Sequence, residues 1–378
     1  MKDEHATTAA GKLPALFTSF QLRSVTFRNR LVVSPMCQYC AAFGRAGDWH
    51  FAHHARFALG GVGGAVIEAT GVTPEGRITT GCLGLWDDDQ VPGLARIASL
   101  YHGQGIPVGI QLAHAGRKAS AAVPLAGAGP LIDTDPPAAW EAVAPSALPY
   151  GPGWPAPRAL DEAGIAAVIA AFAAAARRAV AAGLDFVEIH GAHGYLLHSF
   201  FAPISNRRED PWGGSLEARM RLPLAVAHAV RAAVPESMPV LYRVSAIDPF
   251  EGGVALEDTL ALARTLKDAG VDLLDCSAGG IIAADPSSPA PAPQPGHLVP
   301  LARAVRTEAG IPTMAVGLIN RAALAEEVVA GGSADLVALG RALLADPNFP
   351  YRAALALHHP APHEVLPAPY ALALKRRG

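Results

Sequence analysis

The 378-residue chain predicts a closed (β/α)8 barrel. Two observations carry that expectation. Eight short runs of aliphatic and β-branched residues recur along the sequence, apolar throughout instead of alternating, and each is followed by a helical stretch. Strands of that composition are buried on both faces, as in a parallel sheet covered by helices. Eight such units over roughly 250 residues or more is the arithmetic of a barrel closed on itself.

In chain order the strands are expected at RLVVSP (30–35), GAVIEAT (64–70), PVGIQLAH (107–114), DFVEIHG (185–191), PVLYRVSA (239–246), VDLLDCSAG (271–279), PTMAVG (312–317) and DLVALGR (335–341). Ahead of the first, LFTSFQL and VTFRN alternate, so residues 12–29 predict a β-hairpin closing the barrel bottom. The stretch 161–183 opens with acids, places Ile165, Val168, Ile169 and Phe172 at helical spacing and stops at Gly183. LEDTLALARTLKDAG (256–270) repeats that design. The Gly/Pro-rich stretch 123–160 follows the third strand and has no long periodicity, so it is expected as a long loop over the C-terminal face; loops of this size are usually functional. DPSSPAPAPQPG (285–296) would flank the same face. Residues 1–12 are expected to be flexible, residues 366–378 to form a tail, and 1–378 to make a single domain. GGVGG (60–64) precedes a strand instead of linking strand to helix, the wrong context for a dinucleotide fingerprint.

Composition narrows the function. A formal net charge of −3 with interspersed signs offers no basic stripe for nucleic acid. Four scattered cysteines make neither a disulfide framework nor a zinc site, which suits a reducing cytoplasm. MKDEHATTAAGK has no apolar core behind its charged start, and no uninterrupted apolar run reaches the ~18 residues of a membrane helix. A small-molecule partner is expected, with no nucleic acid and no membrane.

In a barrel, residues at the C-terminal strand ends converge on one site. They are Ser34, Pro35, Met36 and Cys37 after the first strand, Ala69 in the second, Gln111 and His114 in the third, and His190, His193 and Tyr195 after the fourth; Arg243, Gly317, Gly340 and Arg341 follow from the fifth, seventh and eighth. Acids are scarce among them. A metal hydrolase would need carboxylates completing a histidine ligand set, and a glycosidase a carboxylate pair. The residues are instead hydrogen-bond donors, an amide, two arginines and backbone, suited to a planar polar cofactor with a phosphate near Gly317, Gly340 and Arg341. FMN fits these parts. No metal is expected; a histidine-based metal-dependent hydrolase on the same barrel is the rival reading, and a flavin-binding module without turnover a second.

S-P-M-C-Q-Y (34–39), E-A-T (68–70), G-I-Q-L-A-H-A-G-R-K (109–118), H-G-A-H-G-Y (190–195), S-N-R-R-E-D-P-W-G-G-S (205–215), R-V-S-A (243–246) and L-G-R (339–341) together resemble the Old Yellow Enzyme family of FMN-dependent ene-reductases. The cysteine of S-P-M-C resembles the thermophilic-like class, which includes xenobiotic reductases. The likeness runs from about residue 13 to 370. It implies a TIM barrel holding FMN non-covalently, reduced by NADPH or NADH and reoxidised by an activated alkene such as an enone, maleimide or nitroalkene. By position it implies Ser34 to Cys37, Ala69, Gln111, Arg243, Gly340 and Arg341 on the flavin, with Tyr39, His190, His193 and Tyr195 facing the substrate. It also implies a homo-oligomer, dimer or tetramer. His190 and His193 would hold the activating oxygen, and Tyr195 would protonate the α-carbon. Trp212 replaces the family's usual tyrosine, and the tail after Pro367 lacks in register the aromatic or arginine that relatives send into a neighbouring active site.

Cys37 is expected to tune the flavin, and Cys40, Cys82 and Cys276 to be structural. His50 and His54 form an i,i+4 pair, but with no acidic partner apparent a packed or solvated face is the reading. R-R-E-D (207–210) is expected to stabilise its loop by charge, while Trp140, Tyr150 and Trp154 suit either a lid or simple loop packing.

Overall fold

A computed structural model describes residues 12–127, 129–131, 139–283 and 292–375. The expected flexible segment 1–12 therefore lies almost wholly outside the described residues, as do parts of the two Pro-rich loops and the chain's last residues.

Eight parallel strands close into a barrel: β1 (Leu31–Val33), β2 (Gly64–Gly71), β3 (Val108–Ala113), β4 (Phe186–Gly191), β5 (Val240–Ser245), β6 (Leu273–Ser277), β7 (Thr313–Ala315) and β8 (Leu336–Leu339). Each pairs with the next in the chain, and Val337 opposite Leu31 joins β8 to β1. Every predicted run supplies its strand. Between them lie α1 (Asp48–Ala58), α2 (Val91–His102), α3 (Glu162–Ala181), α4 (Leu216–Ala233), α5 (Leu256–Asp268), α6 (Val299–Ala304, extended by a π turn Val305–Ala309) and α7 (Ala322–Ala330), with α8 (Phe349–Ala356) after β8.

Helix α3 illustrates how the sequence encodes a covering helix. The Asp161 carboxylate accepts from Gly164 N at 2.7 Å, satisfying one of the free amides of the first turn. Ile165, Val168 and Phe172 are buried and Ile169 partly so. This helix, contrary to the run count above, is long and apolar enough to cross a membrane by length and composition. Here that apolar surface packs on β3, α2 and α4.

The hairpin pairs Phe20–Leu22 with Val25–Phe27. Its expected first half is shortened by a 3-10 turn at Ala15–Phe17. The reason is local: the Ala15 and Leu16 amides donate to the Glu326 carboxylate at 2.9 and 2.8 Å instead of to a strand. The glycine-rich 60–64 stretch is also structural. A Cβ on Gly63 would lie 2.0 Å from the Asn29 carbonyl oxygen, so only glycine lets the chain pass that close at the barrel's base.

Side chains alternate in and out along each strand, and the inward ones form two contrasting layers. Val32, Val66, Phe186, Leu241, Leu273, Met314 and Leu336 pack with Leu22, Val25 and Phe27 of the hairpin into an apolar plug. Phe27 and Phe186 stack with centroids 5.7 Å apart. Two residues further along, the inward positions become Ser34, Glu68, Gln111, Glu188, Arg243 and Asp275, all buried. The plug is the dry floor on which this polar layer stands.

Candidate active site

The floor of the site contains more acid than the strand ends suggested. Gln111 Nε2 donates to Glu188 Oε1 at 2.7 Å, and Arg243 Nε lies 3.1 Å from Asp275 Oδ2. These pairs are in register across β3–β4 and β5–β6. Burial pushes the Glu188 carboxyl up to about 8, with Asp275 adding to the rise and Arg243 opposing it. Burial raises Asp275 as well, again against Arg243. The expectation that acids are scarce thus holds only at the strand ends. Stepping back by two from His190 gives Glu188 and from Ser277 gives Asp275, so the period of a strand was the signal that could have found them.

The turn after β4 gathers three rings. His190 and His193 lie 5.2 Å apart and His190 and Tyr195 4.7 Å apart, both edge to face. His190 Nδ1 accepts from Ala192 N at 3.2 Å, which leaves the ring proton on Nε2. His193 Nε2 lies 2.7 Å from Ser277 Oγ; with that hydroxyl donating, the proton stands on Nδ1. Burial first, then Arg243, holds both imidazoles well below their ordinary range, so they are neutral donors. Burial and the nearby Cys37 and Tyr39 push Tyr195 up, which keeps it a phenol.

This turn is held from several sides. His193 takes a left-handed φ of 57°, a conformation that is uncommon outside glycine. Its amide donates to Ser245 Oγ at 2.9 Å, and its carbonyl accepts from Lys118 Nζ at 2.8 Å. A Cβ on Gly194 would stand 2.2 Å from the Gly280 carbonyl, so glycine is required where the loop after β6 crosses. Beneath, the fully buried His198 accepts from Gly194 N at 2.9 Å and faces Asp248 at 3.3 Å. Lys118, Ser245, Ser277 and His198 were not singled out as site residues by the sequence.

Tyr39, also at a left-handed φ of 55°, lies near Cys37, and Cys37 lies near Glu68. Burial and Glu68 push Cys37 well up, so it is a thiol. Glu68 in turn accepts from Gln38 N at 2.7 Å and lies 3.4 Å from His50 Nε2. His50 therefore has an acidic partner, contrary to expectation, because β2 brings Glu68 under α1. His54 instead meets Tyr101 Oη at 3.0 Å, and among the described residues no three His, Cys, Asp or Glu are grouped to hold a metal.

A cavity of about 690 Å³ opens beside these groups, lined by Ser34, Met36, Arg243, Gly317, Gly340 and Arg341 among others. Six predicted flavin residues thus share one wall. Pro35, Cys37, Ala69 and Gln111 do not line it. Cys37 lies near enough to Arg243 and Tyr195 to stand between the two regions. Arg243 Nε is buried without a hydrogen-bond partner, a donor held for a further acceptor, and this fits a flavin's carbonyl edge. Elsewhere on this face Arg208 pairs with Asp210 and donates to the Leu160 carbonyl at 2.6 Å, the loop-stabilising role expected of that charge run. Tyr150 lies under Lys118 at 4.5 Å and against Trp154, while Trp140 donates to the Glu75 carbonyl at 2.8 Å.

Fixed cations lining a cavity, with neutral donors beside it on this barrel, suit redox chemistry on a bound planar cofactor and define a flavin-using oxidoreductase. The comparisons agree. Residues 15–359 match the NADH:flavin oxidoreductase / NADH oxidase family. The chain is 43% identical over 341 residues to an NADPH dehydrogenase of Geobacillus thermodenitrificans, covering 90% of this chain and 93% of the relative. Morphinone reductase superposes with a TM-score of 0.75 at 28% identity, covering 91% of this chain and 90% of that one. The old yellow enzyme homologue from Zymomonas mobilis gives 0.71 at 26% identity, with 90% and 92% covered. The chain belongs to this family, that of the Old Yellow Enzymes, and is an FMN-dependent NADPH oxidoreductase.

Proposed function

We propose that the enzyme reduces the C=C bond of activated alkenes, among them enones, maleimides and nitroalkenes, at the expense of NADPH or NADH. The observation that carries this reading is the ring cluster of His190, His193 and Tyr195, two neutral N–H donors beside one phenol at the mouth of a barrel. When bound, the flavin supplies two-electron chemistry, accepting a hydride from the nicotinamide and returning it to the alkene.

The chain's own residues do the rest. Ser34, Met36, Arg243, Gly317, Gly340 and Arg341, which line the cavity, would hold the cofactor together with Pro35, Cys37, Ala69 and Gln111 beside it, with Arg341 as its phosphate partner and Arg243 as the fixed positive charge. His190 Nε2–H and His193 Nδ1–H donate to the carbonyl or nitro oxygen and stabilise charge that develops there. Tyr195 gives its proton to the α-carbon. Tyr39 closes the substrate side. Four free cysteines suit a cytoplasmic setting.

The test is Tyr195→Phe followed by stopped flow of each half-reaction. Flavin reduction should stay near normal while reoxidation by an enone slows, with a milder effect on nitroalkenes, whose nitronate product leaves as a stable anion. Slowed reduction with normal enone turnover would mean that Tyr195 positions the nicotinamide instead.

A further inference from the structure

The mechanism above leaves two buried carboxyl groups without a task. Glu188 and Asp275 are both 0% exposed. Glu188 Oε2 and both oxygens of Asp275 lack hydrogen-bond partners, and Arg243 Nε, although 3.1 Å from Asp275 Oδ2, is misaligned for a hydrogen bond with it. Among the described residues, Arg243 is the one permanent cation that faces the pair.

Among the described residues, the surroundings offer no other positive charge to balance them. Gln111 from β3 is uncharged and bonds Glu188. His190, on β4 above, is kept neutral by burial and Arg243. Cys276 feels Asp275 from the outer side of β6 and stays a thiol. Lys118 and His198 act on His190, and Glu68, toward β1 and β2, has its own partners in Gln38 N and His50. Below lies the apolar plug. Two ionised carboxylates against one guanidinium would leave a net negative charge in this dry layer, at a cost of several kcal/mol per unpaired ion. Like charges sharing a buried site resolve such a conflict by holding a proton between them.

We propose that one of Glu188 and Asp275 is protonated in the resting site, and that the other takes up a proton from solvent when the cofactor above Arg243 is reduced. This rests on the reading that the flavin lies against Gln111 and Arg243. The balance is simple. NADPH gives up a hydride, two electrons and one proton, and leaves as NADP+; the reduced flavin keeps that hydride and carries one negative charge. That charge draws on Arg243, which then no longer neutralises the pair, and the remaining carboxylate binds a proton from water. The proton returns to solvent when the alkene takes the hydride. The pair thus acts as a charge buffer under the cofactor.

Proton uptake can be read directly. FMN-loaded enzyme in weak buffer at pH 7 is reduced anaerobically with one equivalent of NADPH, and an indicator dye reports protons. Hydride transfer alone consumes none, so wild type should take up about one proton per flavin. Glu188→Gln and Asp275→Asn should each keep that uptake through the carboxylate left beside Arg243, and the double variant should take up close to none. No uptake by wild type, or full uptake in the double variant, overturns the proposal. Arg243→Gln separates the premise: if it shifts the flavin's reduction potential while the double variant leaves uptake intact, the flavin stands where stated and only the buffer fails. If Arg243→Gln leaves the potential unchanged, the flavin does not lie over this layer.

Discussion

Lys118 Nζ lies 5.1 Å from the centre of the Tyr195 ring and donates to the His193 carbonyl at 2.8 Å. One ammonium therefore touches both halves of the substrate cluster. Burial, with Arg117 adding repulsion, brings this lysine down to about 8. A tyrosine that gives up its proton becomes a phenolate, which a nearby cation stabilises. The charged form is the useful one, present below about pH 8 and lost as pH rises through it. Alkene reduction should decline on the alkaline side, whereas Lys118→Met should remove that decline and run about tenfold slower at neutral pH, a loss of ~1.4 kcal/mol. A pH profile of enone reoxidation decides; the same alkaline limb in the variant would clear Lys118 of the role.

His193 pairs its donor task with a left-handed backbone. Replacing it by alanine should lower alkene reduction on the order of 10²-fold, as for a lost oxyanion donor. Asparagine tolerates that backbone region and keeps an N–H, so His193→Asn should retain most activity. Steady-state rates on cyclohexenone distinguish these; equal losses in both variants would count against donation.

Arg341 stands exposed at the rim of the cavity. Arg341→Ala should weaken FMN retention during dialysis, because a guanidinium holds a phosphate through paired charge-assisted hydrogen bonds. Full occupancy and unchanged affinity would remove the phosphate from this corner.

Cys37 stands between Tyr39 and Glu68. Cys37→Ala should leave FMN bound yet shift its reduction potential, measured by dye-coupled photoreduction. An unaltered potential returns the thiol to a packing role.

Phe186 is wholly buried in the apolar plug, stacked on Phe27. Phe186→Ala should cost ~3–5 kcal/mol by cavity formation, read as a lower denaturant midpoint with little change in slope. A shift within 0.5 kcal/mol, the range of an ordinary surface change, would mean that the plug closes over the gap.

The eight strands could be read from the chain alone because a barrel strand is apolar on both faces and leaves a continuous hydrophobic run wherever it occurs. His190, His193 and Tyr195 could be read for a related reason: they lie within one turn, so sequence distance and spatial distance coincide. Glu188 and Asp275 look like any strand acid until β4, β5 and β6 are closed around Arg243. Likewise Glu68 reaches His50 only because β2 passes beneath α1, and Lys118 reaches Tyr195 only because the turns after β3 and β4 adjoin. Periodicity is a property of neighbours along the chain, and it settled the architecture. The protonation of a buried group depends on what desolvates it and which charges face it, and in this barrel those partners lie far apart in the chain, Glu188 and Asp275 by 87 residues, so only the closed fold could decide them.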